Sequence, residues 1–152
     1  MKTNAVLLLT VVATAAMASA VVAADNWGSD FEAAKKATAE GKRVLLANFT
    51  GSDWCPWCKK LDGEVFQNEA FKKFAKEKLV LFVADFPNEK QVPKEIAAQN
   101  KKLAEKYDVK GFPTVLLLAA DGKELARTGY RSGGAEAYVE HLKALMEKVK
   151  NK

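Results

Sequence analysis

Cys55-Pro56-Trp57-Cys58 is the feature that most constrains this 152-residue chain, because it contains both of its cysteines. Proline is favoured at the first position of a helix, so Pro56 predicts that a helix begins directly after Cys55. Residues three apart lie on one helical face, which lets the two sulfurs meet. At the helix N-terminus, unpaired N–H groups and the helix dipole favour the thiolate of Cys55. The motif therefore predicts a dithiol that forms and breaks a disulfide.

Three other interpretations of the cysteine pair are less well supported by the sequence. A purely structural disulfide across so short a loop would contribute about 2 kcal/mol, against about 3 kcal/mol for a loop of roughly 15 residues. A zinc site usually has four ligands, and His141 is the only histidine of the chain. Covalent haem attachment needs a histidine after the second cysteine, where this sequence has Lys59. Redox chemistry without a metal is therefore the favoured interpretation.

The first 24 residues have the pattern of a secretory signal peptide. Lys2 precedes an uncharged, mostly apolar run over residues 5–24, which ends in small residues. We expect cleavage after Ala24 and export of residues 25–152 to the periplasm or an equivalent compartment. The alternative is an uncleaved segment that tethers the protein to the membrane, since about 20 apolar residues can span a bilayer.

Residues 25–152 are enough for one domain and too few for two. The net charge of the chain is +5, but 19 acidic residues are interspersed with 24 basic ones. The lysine-rich segments, such as residues 148–152, carry no aromatic–basic stripe and are typical of solvated helix faces. We therefore expect no nucleic-acid partner. An exported protein meets an oxidising compartment, where a single cysteine pair fits a catalytic dithiol better than a disulfide scaffold.

The first half of the domain alternates helices with apolar runs. Ser29 is predicted to cap a helix over residues 31–40. Apolar runs over residues 43–49 and 79–86 are typical of buried strands. The helix of the cysteine motif lies between these two predicted strands.

The remaining elements follow from turn and capping residues. We expect the motif helix to break at Gly63 and Asn68 to cap its continuation. A further helix is predicted to begin near Pro93, and Asp121-Gly122 between two apolar runs predicts a β-hairpin. An apolar stripe over residues 138–149 predicts a closing helix. This order of elements predicts a mixed sheet with helices on both faces.

Two segments give the chain a resemblance to a known family. They are Asn48-Phe49-Thr50-Gly51-Ser52-Asp53-Trp54-Cys55-Pro56-Trp57-Cys58-Lys59-Lys60-Leu61 and Gly111-Phe112-Pro113-Thr114. In this order they resemble the thioredoxin superfamily, and the resemblance covers essentially all of residues 27–150. The first segment is most similar to exported bacterial thioredoxin-like proteins related to the thiol-reducing domain of transmembrane electron-transfer proteins. The resemblance implies the thioredoxin fold, an α/β fold with a central mixed β-sheet flanked by helices on both faces.

The resemblance also implies roles for residues of the two segments. Cys55 is expected to attack the substrate disulfide and Cys58 to resolve the mixed disulfide, with no bound cofactor. Pro113 corresponds to the family's cis-proline, which packs against the active-site disulfide. With Phe112, its loop can offer backbone groups to an extended substrate peptide, as a strand pairs with a sheet edge.

Two tryptophans flank the cysteines and are predicted to contact substrate. Trp57 lies between the two thiols, where we expect a solvent-facing side chain that forms an apolar surface for partner proteins. Trp54 is expected to pack partly into the core. Together with Phe112 and Pro113, these two residues are the predicted substrate-binding residues.

One residue departs from the family pattern. Thioredoxins generally carry a buried aspartate in the strand before the motif, which accepts a proton from the resolving thiol. Allowing one extra residue in the loop, that position is Asn48 in this sequence. An amide cannot accept a proton at physiological pH. Either water or another group then deprotonates Cys58, or this step is slower.

The sequence thus predicts a thiol–disulfide oxidoreductase that acts on exported proteins as a reductase or isomerase. A dithiol oxidase is the alternative direction, although oxidases of this superfamily often have histidine between the cysteines, where this chain has Trp57. Two alternatives belong to other classes of function: a non-catalytic thioredoxin-fold module that docks peptides, and a metal-trafficking protein that binds Cu(I) through the dithiol. We expect a monomer that exchanges electrons with protein thiols and disulfides and with a redox partner, such as a membrane electron-transfer protein.

Overall fold

A four-stranded mixed sheet forms the centre of the computed structural model, which describes residues 27–150. Its strands are β1 (Val44–Thr50), β2 (Leu79–Asp85), β3 (Thr114–Leu118) and β4 (Glu124–Thr128). They lie in the order β2-β1-β3-β4. Strand β1 pairs in parallel with β2 and antiparallel with β3, and β3 pairs antiparallel with β4. The predicted mixed sheet is confirmed, whereas the predicted signal peptide over residues 1–24 lies outside the described residues.

Five α-helices surround the sheet within the described part of the chain. They are α1 (Phe31–Gly41), α2 (Pro56–Leu61), α3 (Glu69–Lys78), α4 (Lys94–Lys106) and α5 (Gly134–Lys150). A π-helical turn over Asp62–Phe66 joins α2 to α3. Over residues 27–150, every helix is too short or too polar to cross a bilayer.

Two of the predicted helix boundaries differ from those observed. The N-cap of α1 is Asp30 rather than Ser29, because the Asp30 carboxylate accepts a hydrogen bond from the backbone N–H of Ala33 at 2.9 Å. The chain does not break at Gly63 but continues through the π-helical turn. Asn68 caps α3 as predicted, since its side chain accepts a hydrogen bond from the N–H of Ala70.

The strands separate two hydrophobic cores, because successive side chains of a strand point to opposite faces of the sheet. Helices α1 and α4 cover one face, where Phe31 and Leu103 pack on Leu45 and Phe49. Helices α2, α3 and α5 cover the other face, where the buried side chains include Leu46, Leu61, Phe71, Tyr138 and Leu142. Asn48 has the same strand parity as Leu46 and therefore points to the face that carries α2.

The end of β1 delivers the chain to the start of α2. Gly51 follows the strand, and its carbonyl oxygen accepts hydrogen bonds from the N–H groups of Trp54 and Cys55. A side chain at position 51 would collide with the indole of Trp54. This tight turn places Cys55 at the carboxyl end of β1 and directly before the helix.

Candidate active site

The two cysteines form a disulfide at the N-terminus of α2. Cys55 is the N-cap residue, and the backbone N–H of Cys58 donates a hydrogen bond to Sγ of Cys55 at 3.2 Å. Pro56 occupies the first turn, as the sequence predicts. Because the first N–H groups of a helix have no intrahelical partner, this helix end stabilises negative charge on the Cys55 sulfur. The arrangement suits a cysteine that acts as a thiolate when the disulfide is open.

The loop before β3 lies against the Cys55 sulfur. The carbonyl oxygen of Phe112 is 3.7 Å from Sγ of Cys55, and the Phe112–Pro113 peptide bond is cis, as expected. Antiparallel pairing of β3 with β1 produces this contact, since Thr114 lies opposite Phe49 near the end of β1. The two segments that the sequence singled out therefore meet in one place.

Trp54 and Trp57 are exposed on either side of the buried cysteines. The exposed fraction is 44% for Trp54 and 55% for Trp57, whereas it is 4% for Cys55 and 5% for Cys58. The Trp54 ring packs edge-on against Phe112, with ring centroids 6.0 Å apart. Trp54 is therefore less buried than expected, and an aromatic surface surrounds the disulfide.

A cleft of about 320 Å³ lies behind Cys58. It is lined by Cys58, Asn48, Trp27 and Asp62, among others. Asn48 is 8% exposed, and its Oδ1 has no hydrogen-bond partner within residues 27–150. Asn48 is thus buried beside the second cysteine, where the resemblance places the residue that faces the resolving thiol.

The comparison with protein families agrees with this geometry. The sequence profile of the thioredoxin-like domain family matches residues 31–147, which span every described helix and strand apart from the last turn of α5. The chain belongs to the thioredoxin-like family.

Individual relatives of this thioredoxin-like protein include disulfide oxidoreductases. It is 39% identical over 128 residues to the disulfide bond reductase DsbH of Chlamydia pneumoniae, covering 83% of this chain and 76% of that protein. A solved structure of a DsbH oxidoreductase superposes with a TM-score of 0.77 at 35% identity, covering 80% of this chain and 84% of the other. The thiol:disulfide interchange protein DsbD of Actinobacillus pleuropneumoniae is 33% identical over 94 residues, which cover 62% of this chain but only 14% of that protein.

Sequence reasoning missed the residue that supports Trp57 in this thioredoxin-like protein. Tyr130, between β4 and α5, packs on Trp57 with ring centroids 5.1 Å apart. Lys60 Nζ lies 5.3 Å from the Trp57 ring centroid and 5.4 Å from that of Tyr130. The Tyr130 hydroxyl donates a hydrogen bond to Glu64 at 2.7 Å. Tyr130 is 73 positions after Trp57 in the sequence, so no local pattern connects the two.

His141, in α5, contacts neighbouring side chains of the fold. Its Nε2 is 2.9 Å from Oγ1 of Thr128, and its ring packs against Tyr138. Burial lowers the pKa of His141, and the charges of Arg131 and Lys148 lower it further. Among residues 27–150, no three His, Cys, Asp or Glu side chains converge as a metal site would require.

Proposed function

We propose that this protein is a thiol–disulfide oxidoreductase that reduces or isomerises disulfides of exported polypeptides. The observation that supports it is the Cys55–Cys58 disulfide at a helix N-terminus, with the Phe112 carbonyl against the Cys55 sulfur. The relative named a disulfide bond reductase supports the reducing direction. The apolar residues 5–24 support export.

In the reduced protein, the thiolate of Cys55 attacks one sulfur of the substrate disulfide. A Cys55–substrate disulfide forms, and the first substrate sulfur leaves as a thiolate that takes up a proton. Cys58 then loses its proton and attacks the Cys55 sulfur. The second substrate thiolate leaves, so that two electrons have passed to the substrate and the Cys55–Cys58 disulfide is formed. An external dithiol restores the reduced protein by the reverse exchange.

Four residues around the disulfide are proposed to bind the substrate polypeptide. Trp54 and Trp57 present exposed aromatic faces, and Phe112 packs against Trp54. Pro113 belongs to the loop whose backbone faces Cys55. An extended peptide on this surface can pair with the loop backbone while its neighbouring side chains rest on the tryptophans.

The remaining parts of the proposal concern partners. We propose that the protein acts as a monomer, outside the cytoplasm, and receives electrons from a dithiol of a membrane electron-transfer protein. The similarity to a segment of DsbD, a thiol:disulfide interchange protein, supports electron exchange with other protein dithiols. Nucleic acid is not a proposed partner, because acidic and basic residues are interspersed along the chain.

Turbidity of insulin in the presence of dithiothreitol tests the proposed function. Reduction of insulin releases an insoluble chain, so the wild-type protein should shorten the lag before turbidity. The Cys55→Ala variant should behave like the uncatalysed reaction. An equal lag with and without the wild-type protein would instead favour a non-catalytic docking module. If the protein oxidises substrate dithiols faster than it reduces the corresponding substrate disulfides in a glutathione buffer, a dithiol oxidase is favoured.

A further inference from the structure

Segment 86–92, which follows β2, is hydrogen-bonded to the loop that carries Cys55. The Asp53 carboxylate accepts three of these hydrogen bonds. Oδ1 of Asp53 accepts a hydrogen bond from the N–H of Asn88 at 2.9 Å, and Oδ2 accepts from the N–H groups of Glu89 at 2.8 Å and Lys90 at 3.0 Å. Three consecutive backbone donors thus converge on a side chain two positions before Cys55.

The neighbours of Asp53 strengthen the same connection. The N–H and hydroxyl of Ser52 donate to the Asp85 carboxylate at 3.0 and 2.6 Å. The indole N–H of Trp54 donates to the Phe86 carbonyl at 2.8 Å. Residues 52, 53 and 54 each form hydrogen bonds with residues 85–90. These bonds fix the position of segment 86–92 relative to the Trp54 ring.

The Asp53 carboxylate is ionised, which strengthens the hydrogen bonds that it accepts. Its three backbone donors, with the N–H of Asn88 as the largest cause, lower the pKa of Asp53 from 3.8 to about 2. The carboxylate therefore stays ionised at neutral pH and well into the acidic range. Hydrogen bonds to a charged acceptor are shorter and stronger than those between neutral groups.

Segment 86–92 forms one wall of a cleft of about 480 Å³ beside Trp54. Five of its eight lining residues are apolar, namely Trp54, Phe86, Pro87, Val92 and Ala97, and the other three are Asp85, Asn88 and Lys90. Phe86 stacks on Phe112 with ring centroids 5.0 Å apart, and the Phe112 carbonyl faces Cys55. The aromatic surface around the disulfide therefore continues into this cleft.

We propose that Asp53 is a positioning residue for substrate binding: it holds segment 86–92 so that the cleft beside Trp54 receives an apolar side chain of the substrate polypeptide. The aromatic and aliphatic part of the wall, formed by Trp54, Phe86 and Val92 among others, favours such a side chain. This part is continuous, through Phe112, with the sulfur at which the substrate disulfide reacts. The inference rests on the proposed function, and it adds a determinant of substrate specificity.

Two disulfide substrates separate this role from a merely structural one. Insulin is a polypeptide disulfide whose side chains can fill the cleft, whereas dithiobis-nitrobenzoate is a small disulfide that can reach Cys55 without it. We expect Asp53→Ala to raise KM for insulin by about tenfold, with kcat and the rate with the small disulfide near the wild-type values. Asp53→Asn, which keeps one acceptor oxygen, should give an intermediate KM. Asp121→Ala is the matched control, because exposed Asp121 also accepts a backbone N–H, that of Lys123.

A second variant tests the cleft while the hydrogen bonds that hold segment 86–92 stay intact. Val92→Asp places a charge in the cleft without removing any bond to Asp53, and it should raise KM for insulin in the same selective way. Two results in these variants would overturn the inference. In the first, Asp53→Ala and Val92→Asp reduce the rate with the small disulfide as much as the rate with insulin. In the second, neither variant raises KM for insulin. If the wild-type protein reduces neither disulfide, the proposed function fails, and this inference fails with it.

Discussion

Asn48 and Cys58 line the same cleft, and the amide oxygen of Asn48 has no hydrogen-bond partner in the described chain. Strand parity explains the placement, since residue 48 lies on the face of β1 that carries α2. The amide is uncharged and adds no charge beside the sulfurs, whereas an ionised side chain at the same position would. The position is suited to change the relative free energies of the dithiol and the disulfide.

Asn48→Asp should lower the reduction potential of the Cys55–Cys58 pair. A buried carboxylate disfavours a nearby thiolate, so the reduced form loses part of the stabilisation that the helix N-terminus provides. Each 1.4 kcal/mol of this effect lowers the potential by about 30 mV. Equilibration with glutathione, followed by tryptophan fluorescence, measures both proteins.

Asn48→Leu is the control for this substitution. It changes the shape and polarity of residue 48 without adding a charge, so its potential should stay near that of the wild-type protein. An unchanged or higher potential in Asn48→Asp would show that residue 48 does not influence the thiols.

The Cys58→Ala variant should accumulate mixed disulfides with substrate proteins. Cys55 can still attack a substrate disulfide, but no second thiol is present to displace the product. Non-reducing gels of cells that express the variant should show several-fold more adducts than gels of cells that express Cys55→Ala. Similar adduct levels in the two variants would remove the assignment of Cys55 as nucleophile and Cys58 as resolving cysteine.

Local sequence signals were sufficient for much of the fold. Pro56 indicated the start of α2, Asn68 the start of α3, and Asp121-Gly122 the turn between β3 and β4. Ser29 was a wrong cap because Asp30, one residue later, is equally suited to accept a helix N–H. Neighbouring residues determine capping and turns, so they can be predicted without knowledge of tertiary contacts.

The parts of the site that escaped prediction depend on distant contacts. Tyr130 reaches Trp57 only when the β4–α5 connection packs beside α2. The carboxylate of Asp53 looks like an ordinary loop residue until segment 86–92 lies against it. Spacing in the sequence contains no signal for such contacts.

His141 should make the stability of the fold depend on pH. Burial is the first cause that lowers its pKa below 6.5 in the folded protein, so the unfolded chain binds more protons in this range. The free energy of unfolding should therefore rise with pH through this range and fall as the solution is acidified below about pH 6.5. Thermal denaturation between about pH 5 and 8 checks this. His141→Gln can keep the contact with Thr128 and should flatten the profile, whereas an identical profile would contradict the prediction.

Tyr130→Ala should make Trp57 more mobile and weaken binding of protein substrates. The ring contact with Tyr130 is worth about 0.5–1.5 kcal/mol beyond the area that it buries, so its loss allows Trp57 to adopt other rotamers. Indole N–H relaxation of Trp57 by NMR should show a lower order parameter, and KM for insulin should rise by about two- to tenfold. Tyr130→Phe is the matched variant, because it keeps the ring and removes only the hydrogen bond to Glu64. It should resemble the wild-type protein in both measurements. If Tyr130→Phe is as impaired as Tyr130→Ala, the hydroxyl–Glu64 bond, and not the ring contact, holds Trp57.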